Sequence, residues 1–289
     1  MGDLLAILAA AAFAIGTVLQ QKGTLSTQAG EQDPRFLIEI LHKPVWLAGL
    51  AGQIVGWVLQ AMALDRASLV VTQALTSLSL VIALPLGVWL THQHIGRREA
   101  AGALMTLAGI IVFLSAGQPQ GGTNHPSAAT WWVACVVIFV LVGIIGLFGT
   151  RLRGADKAVA LGVAAGLGFG LQAAVTKLFV TEIGGGVLGL LASWSTYVLI
   201  VSAIVGFVLQ QSALKTGVLA PAMATSNSVT LFASVILGIA VYGEALSKSG
   251  GSHPAWAVVG LLLAVGGIVL LARSASPEPS ESPAAHPSS

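Results

Sequence analysis

Uninterrupted apolar runs recur along the chain, each long enough, at about 20 residues, to cross a ~30 Å hydrocarbon layer as a helix. Nine are predicted, near residues 2–21, 44–64, 68–90, 98–116, 130–149, 158–177, 193–214, 217–241 and 255–272. They take up nearly everything between Met1 and Ala272, so the fold class is an all-α polytopic membrane protein. The stretch 178–192 is the least regular: Thr181, Glu182 and Gly184-Gly185-Gly186 precede a short apolar segment. If it forms a half-helix or re-entrant turn, the count rises to ten and the C-terminus changes sides.

Composition makes the lipid solvent a necessity. The chain of 289 residues is 55% hydrophobic and 8% charged, with a mean hydropathy of +0.89, where a soluble domain is about 25% charged. Thirteen basic residues scattered through loops give no nucleic-acid footprint. Cys135 is the single cysteine, which excludes an internal disulfide and a thiolate metal cluster. Asp3 is the only early charge, so the first run reads as a transmembrane helix rather than a cleaved leader.

Charge also orients the chain. With nine crossings, Lys22, Arg35, Lys43, Arg97, Arg98, Arg151, Arg153, Lys157, Lys215 and Arg273 share one side, while Arg66, Lys177 and Lys248 share the other. The positive-inside rule then puts the N-terminus outside and the C-terminus in the cytoplasm.

An internal repeat divides the chain. Gly56 to Leu64 (GWVLQAMAL) matches Gly206 to Leu214 (GFVLQQSAL) at six of nine positions. Gly16 with Leu19-Gln20 matches Gly168 with Leu171-Gln172, and Gly102…Gly109-Ile110 matches Gly260…Gly267-Ile268, in the same order. The equivalent first helices lie five crossings apart, so the two copies enter the membrane in opposite directions, an inverted-topology repeat of the kind that gives a carrier two related conformations. The expected units are residues 1–150 with helices one to five, 151–273 with helices six to nine, and a Pro/Ser-rich tail over 274–289 that can bury nothing.

Polar residues inside the runs cluster. Gln20, Gln21 and Lys22 end the first helix, and Gln53 and Gln60 lie on one face of the second. Thr72, Gln73, Thr76, Ser77 and Ser79 fall in the third, Gln172, Thr176 and Lys177 in the sixth, and Gln210 and Gln211 in the seventh. Thr225, Ser226, Asn227, Ser228 and Thr230 sit in the eighth. A buried amide in hydrocarbon needs a partner, so these groups face the bundle interior, either tying helices together or lining a substrate path. Asn227 heads the substrate-binding candidates, followed by Gln73, Gln172, Gln20, Thr225, Thr76, Gln60 and Gln210. Pro85 and Pro221 interrupt the backbone ladders of helices three and eight and leave carbonyls free. Lys177, Glu182 and Glu244 fall near the ends of their spans, and no span centre carries a carboxylate. Glycine ridges at Gly49, Gly52 and Gly56 and at Gly162, Gly166, Gly168 and Gly170 predict close helix packing. His92 and His94 read as a solvated loop, and no metal ligand set is identified. No nucleophile elbow, metal-binding histidine motif or phosphate loop is present, and no cofactor is expected, so the chain is not read as an enzyme.

The duplicated halves, Gln20-Gln21-Lys22-Gly23 at the end of the first helix, Gly243-Glu244 after the penultimate one and the Gly-rich last helix together resemble the EamA-type members of the drug/metabolite transporter superfamily. The resemblance covers Leu4 to about Ala272 and is nearest to the NIPA-type magnesium transporters, which share the nine spans and the Lys-Gly end of the first helix. It implies two inverted halves and a secondary carrier. The family's glycine-glutamate signature falls on Gly243-Glu244, whereas the first half has Thr91-His92-Gln93-His94 there, with no acid before Glu99. The expected function is transport of a small polar solute by alternating access, around a cavity of helices one, three, six and eight. Mg²⁺ transport is the alternative, disfavoured because the span centres offer amides and hydroxyls but no carboxylate pair. A structural or assembly role is the third reading. The expected partners are the bilayer and a small polar solute or divalent cation; a homodimer stays open, since lipid-facing and partner-facing surfaces look alike in helices this apolar.

Overall fold

The computed structural model describes residues 1–25, 42–91, 96–120, 122–123, 126–214, 216, 219–246 and 254–274. The tail over 275–289 and the His92–His94 run lie outside them. The helices are α1 (Gly2–Leu25), α2 (Pro44–Arg66), α3 (Leu69–Thr76), α4 (Ser79–Thr91), α5 (Arg97–Gly117), α6 (Ala128–Thr150), α7 (Gly154–Glu182), α8 (Gly186–Ala192), α9 (Trp194–Leu214), α10 (Leu219–Ala240) and α11 (Pro254–Ser274). Two short strands, β1 (Pro119–Gln120) and β2 (Ala245–Leu246), pair antiparallel.

Each predicted apolar run is helical. Six spans among the described residues are long and apolar enough to cross a membrane; Trp194–Gln210, Thr225–Ala240 and Ala255–Leu270 are shorter apolar helices. Local chemistry sets several boundaries. Pro44 opens α2, where its missing N–H costs nothing. Ser127 caps α6 by accepting from the Thr130 N–H.

The third run departs from expectation. It is one apolar stretch in sequence but two helices in space, because the chain breaks at Ser77 and Leu78 rather than at Pro85, which sits inside α4 without ending it. The Gln73 carbonyl accepts from the Ser77 N–H and from the hydroxyls of Ser77 (2.8 Å) and Thr76 (3.1 Å). That crowding ends α3, and Leu78 and Leu80 then bond three residues back before α4 resumes. The sixth helix also runs further than predicted, to Glu182 rather than 177, and the glycines beyond it form a 3₁₀ turn (Ile183–Gly185) and the short α8.

Burial identifies the centre of the bundle. Of the Asp156–Glu182 span 72% is buried, against 22–39% for the other five membrane-length spans, so α7 is the hub. At 1.5 Å per residue its 29 residues reach about 43 Å, longer than the hydrocarbon is thick. Elsewhere large apolar side chains such as Leu4, Ile54, Ile144, Leu147 and Ile204 stay exposed and form the lipid-facing skin.

Glycines bring the helix backbones together as their ridges predict. A Cβ at Gly52 would lie 3.0 Å from the Gly16 Cα, packing α2 on α1, and one at Gly168 would lie 3.2 Å from the Gly206 Cα, packing α7 on α9. Gly166 and Gly170 seat α10, their added Cβ atoms meeting the Ser226 carbonyl at 2.6 Å and the Ala233 Cβ at 2.5 Å. Between α5 and α11 the contact is reciprocal. A Cβ at Gly109 would lie 2.7 Å from the Gly260 carbonyl oxygen, and a Cβ at Gly267 would lie 2.7 Å from that of Gly102. As α5 advances from 102 to 109, its partners on α11 recede from 267 to 260, so the two helices run antiparallel.

Candidate functional site

The most polar interior region gathers around α3. Of its eight residues all but Val71 are buried. Val70 and Ala74 join a cluster with Leu231 and Val235 of α10, while Leu75 joins Ala6 of α1, and Leu69 packs with Leu171, Ala174 and Val175 of α7. Successive residues turn by 100°, so Thr72, Gln73 and Thr76 fall on the arc that includes Leu69 and lies away from Val70 and Ala74. The Gln73 Nε2 and the Thr72 Oγ1 are buried with no hydrogen-bond partner.

A charged cluster holds the start of the same helix. Glu244 is buried, and its Oε1 accepts from the Leu69 N–H at 2.6 Å and from the Lys177 Nζ at 2.7 Å, while its Oε2 accepts from the Val70 N–H at 2.9 Å. Ser68 supplies the next cap, accepting from the Val71 N–H at 3.1 Å. A carboxylate is favoured at this position by the unpaired amides and the positive end of the helix dipole. Two glycines make it reachable. Gly243 has φ +65, a left-handed conformation that turns Glu244 back beneath α10. A Cβ at Gly238 would lie 2.8 Å from the Glu244 Oε2, so only a glycine leaves the slot the carboxylate occupies.

Tyr242 completes the cluster. Its hydroxyl donates to the Ala174 carbonyl at 2.6 Å, and its ring carries the Lys177 ammonium 4.6 Å from the centroid. Burial first, then the Glu244 carboxylate, push the Tyr242 phenol above its ordinary range, so it stays a neutral donor. Trp131 packs edge-on against both Tyr242 and Trp194. The segment around β1 covers this end: the Thr123 N–H donates to the Tyr242 carbonyl at 2.8 Å, and β1 pairs with β2 beside Glu244.

The predicted site residues separate into groups. Gln73, Thr76 and Gln172 are buried, Gln73 and Thr76 on α3 and Gln172 on the hub α7. Gln210 is a tie: its Oε1 accepts from the Ser226 hydroxyl at 2.6 Å and joins α9 to α10. Gln53 does the same for α2 and α1, donating to the Thr17 hydroxyl at 3.0 Å. The Thr225 hydroxyl donates to the Ala222 carbonyl within its own helix. Asn227, Gln20 and Gln60 are half-buried. Ser228 and Ser234 of α10 have buried hydroxyls with no partner.

One placement differs from the sequence reading. Lys177 and Glu244, expected near span ends, are a buried ion pair, with side chains 6% and 0% exposed. Glu182, at the end of α7 as expected, accepts from the hydroxyls of Ser193, at 2.7 Å, and Ser195. The only forewarning was the presence of opposite charges in a chain with so few. Among the described residues no three His, Cys, Asp or Glu side chains gather as a metal site. A hollow of about 360 Å³ on the outer face is lined by Trp132, Cys135, Val136, Phe139, Val140 and Val198, and one of about 250 Å³ by Leu152, Arg153, Gly154, Lys157, Ser212 and Thr216; none of the predicted site residues lines either.

No solved structure matches the chain. A protein of Corynebacterium glutamicum, described only as uncharacterized, is 30% identical over 287 residues, covering 95% of this chain and 97% of its own length. Residues 31–115, which include α2, α3, α4 and most of α5, match the EamA-like transporter family. With its multi-pass bundle of apolar helices, the chain belongs to the EamA-like family of the drug/metabolite transporter superfamily, whose members are membrane transporters of the secondary type and not enzymes.

Proposed function

We propose that the chain moves a small polar solute across the cytoplasmic membrane by alternating access, along a path bounded by α1, α3, α7 and α10. The observation that carries this reading is the pair of unpartnered buried groups on α3, the Gln73 Nε2 and the Thr72 Oγ1. An unmet buried donor costs about 1–3 kcal/mol. A solute that hydrogen-bonds there relieves that cost. The break after Thr76 supports the same reading, since discontinuous helices form the binding sites of many carriers. Thr76, Gln172 and, on α10, Asn227 and Thr225 extend the polar lining, and Gln20, Gln60 and Gln210 belong to its flanks.

The architecture follows as two inverted repeats, 1–150 and 151–273, with nine crossings, the N-terminus outside and the C-terminus cytoplasmic. The reciprocal glycine contacts support it: Gly102 and Gly260 are equivalent in sequence, as are Gly109 and Gly267, and exchanging each for its equivalent turns one contact into the other. A two-fold axis in the membrane plane has that effect.

The NIPA-type reading would place Mg²⁺ on oxygen ligands. The interior carboxylates Glu182 and Glu244 are already taken by serines and by Lys177 with two amides, which favours the organic solute. Thermal shifts of the detergent-purified protein across amino acids, other small metabolites, Mg²⁺ and Ca²⁺ test the choice. Saturating solute, at about 100 Kd, stabilises by about 2.7 kcal/mol. The expected outcome is a saturable metabolite shift that Gln73→Leu abolishes. A Mg²⁺ shift preferred over Ca²⁺ moves the assignment to the magnesium carriers, and no response to either class supports a structural role.

A further inference from the structure

Three elements meet at Glu244: the N-terminus of α3, the last third of α7 through Lys177, and the turn that follows α10. We propose that this junction is a one-sided latch: the Lys177–Glu244 pair, clamped on the first amides of α3, closes the transport path at the end of the bundle where β1, Thr123 and 241–246 lie, and the path opens there when the pair separates. The inference rests on the carrier reading above for what the path conducts, and on geometry for where it closes.

The junction has two arrangements and nothing stable between them. As it stands every first-turn amide of α3 is occupied: Leu69 and Val70 by Glu244, Val71 by the Ser68 hydroxyl and Thr72 by the Ser68 carbonyl. Moving α3 alone strands its two amides and takes two of the three hydrogen bonds from the Glu244 carboxylate, and parting Lys177 from Glu244 as well leaves two bare charges in a low-dielectric interior. Only water entering from that end can replace the lost partners. Separation and hydration therefore occur together, which is the property of a gate.

The clamp reaches the pathway directly. Thr72 and Gln73, the unpartnered groups, lie three and four residues beyond Leu69 on the helix it holds. Tyr242 braces the second half of the junction, fixing α7 through the Ala174 carbonyl while its ring carries the Lys177 ammonium. The covering segment is tied to the same turn by the Thr123 N–H and the β1–β2 pair. In the sequence, Thr91-His92-Gln93-His94 stands where the second half has Gly243-Glu244 and contains no acid, so the equivalent position of the first half cannot supply the same carboxylate. The latch therefore biases the carrier toward being closed at one end, and the two ends open by different chemistry.

Thiol accessibility tests this without any solute. Cys135 is the only cysteine, so Cys135→Ala with Thr72→Cys places one thiol behind the latch, and Thr123→Cys in the same background marks the side on which the covering segment lies. A membrane-impermeant maleimide is applied to each side of the membrane. With the latch intact, labelling of Thr72→Cys is slow. Lys177→Met should raise the rate by about tenfold or more, as a state populated at a few per cent becomes dominant. Tyr242→Phe, which removes one hydrogen bond and keeps the ring, should raise it about fivefold. Both increases should come only from the side that labels Thr123→Cys. Unchanged rates in the monodisperse variants, or increases from the opposite side, overturn the latch; if Lys177→Met does not purify as a folded protein, Tyr242→Phe decides alone. Solute binding is measured on the unsubstituted chain, because Thr72 is itself a proposed solute contact: faster labelling of the variants with no solute binding by that chain upholds the latch and removes the carrier reading, whereas unchanged labelling with intact binding does the reverse.

Discussion

Two of the junctions between residues 1–150 and 151–273 are built from opposite materials. Between α5 and α11 the backbones approach closely at Gly102, Gly109, Gly260 and Gly267, and apolar side chains such as Ile110, Phe113, Ala264 and Ile268 fill the rest of the seam. Between α3, α7 and the turn after α10 it is made of charge and hydrogen bonds, with polar groups left unmatched beside it. A glycine seam has no second arrangement in which its contacts are remade, because dispersion between close surfaces falls off within an ångström of separation. A polar junction does have one, because water can take over its bonds. On the carrier reading proposed above, the seam holds the two parts together and the junction lets them move.

Breaking half of the ion pair should have the largest effect. Glu244→Ala leaves Lys177 and two amides buried without their acceptor, and the expected loss is about 3–5 kcal/mol in unfolding measured in mixed micelles. The double variant Lys177→Met/Glu244→Gln should recover part of it, since both charges are gone; a double variant no better than Glu244→Ala would show that the carboxylate acts mainly on α3.

The seam should respond to volume and be indifferent to charge. Gly267→Ala puts a methyl group against the Gly102 carbonyl, at an expected cost of about 1–3 kcal/mol, with the labelling rate at position 72 unchanged. Equal losses from Gly109→Ala would sharpen the symmetry of the seam, and a loss from only one of them would break it.

Opposite in sign is Gln73→Leu. It removes an unmatched amide, so stability should rise, by up to about 1 kcal/mol, while solute-induced stabilisation disappears. A loss of stability would mean that the amide has a structural partner.

The smallest effect belongs to the ties. Ser226→Ala removes the bond to Gln210, and interhelical hydrogen bonds of this kind average about 0.6 kcal/mol in membranes. Its melting temperature should fall slightly with binding intact, and a large effect on binding would place Gln210 in the solute path.

The helices were legible because an apolar run of membrane length has few alternatives, and the glycine ridges because small residues at helical spacing can do little but pack. The break at Ser77 was not legible. Its cause is three donors converging on one carbonyl, whereas Thr-Ser in a helix usually bonds to preceding turns without ending it. Proline was the residue that sequence reasoning trusted to interrupt the third helix, yet α4 runs through Pro85. Nor was the ion pair legible: Lys177 and Glu244 are 67 residues apart, and each alone resembles a charge at a helix end. Among the glutamines, sequence identified interior positions but not roles. Gln210 and Gln53 found partners on neighbouring helices and Gln73 Nε2 did not, a difference set by which helix happens to stand opposite.

The packing around Trp131 gives the protein an optical gauge of its own. Of seven tryptophans it alone is buried, edge-on to Tyr242, whose ring lies under the Lys177 ammonium. Indole emission shifts with the local electric field and with the arrival of water, so the separation of a nearby ion pair registers directly in its colour. The red edge of the intrinsic fluorescence should therefore follow the opening of this end of the bundle in unlabelled protein, and Trp131→Phe should remove most of that response, with a smaller part left from the half-buried Trp194 that packs edge-on against it.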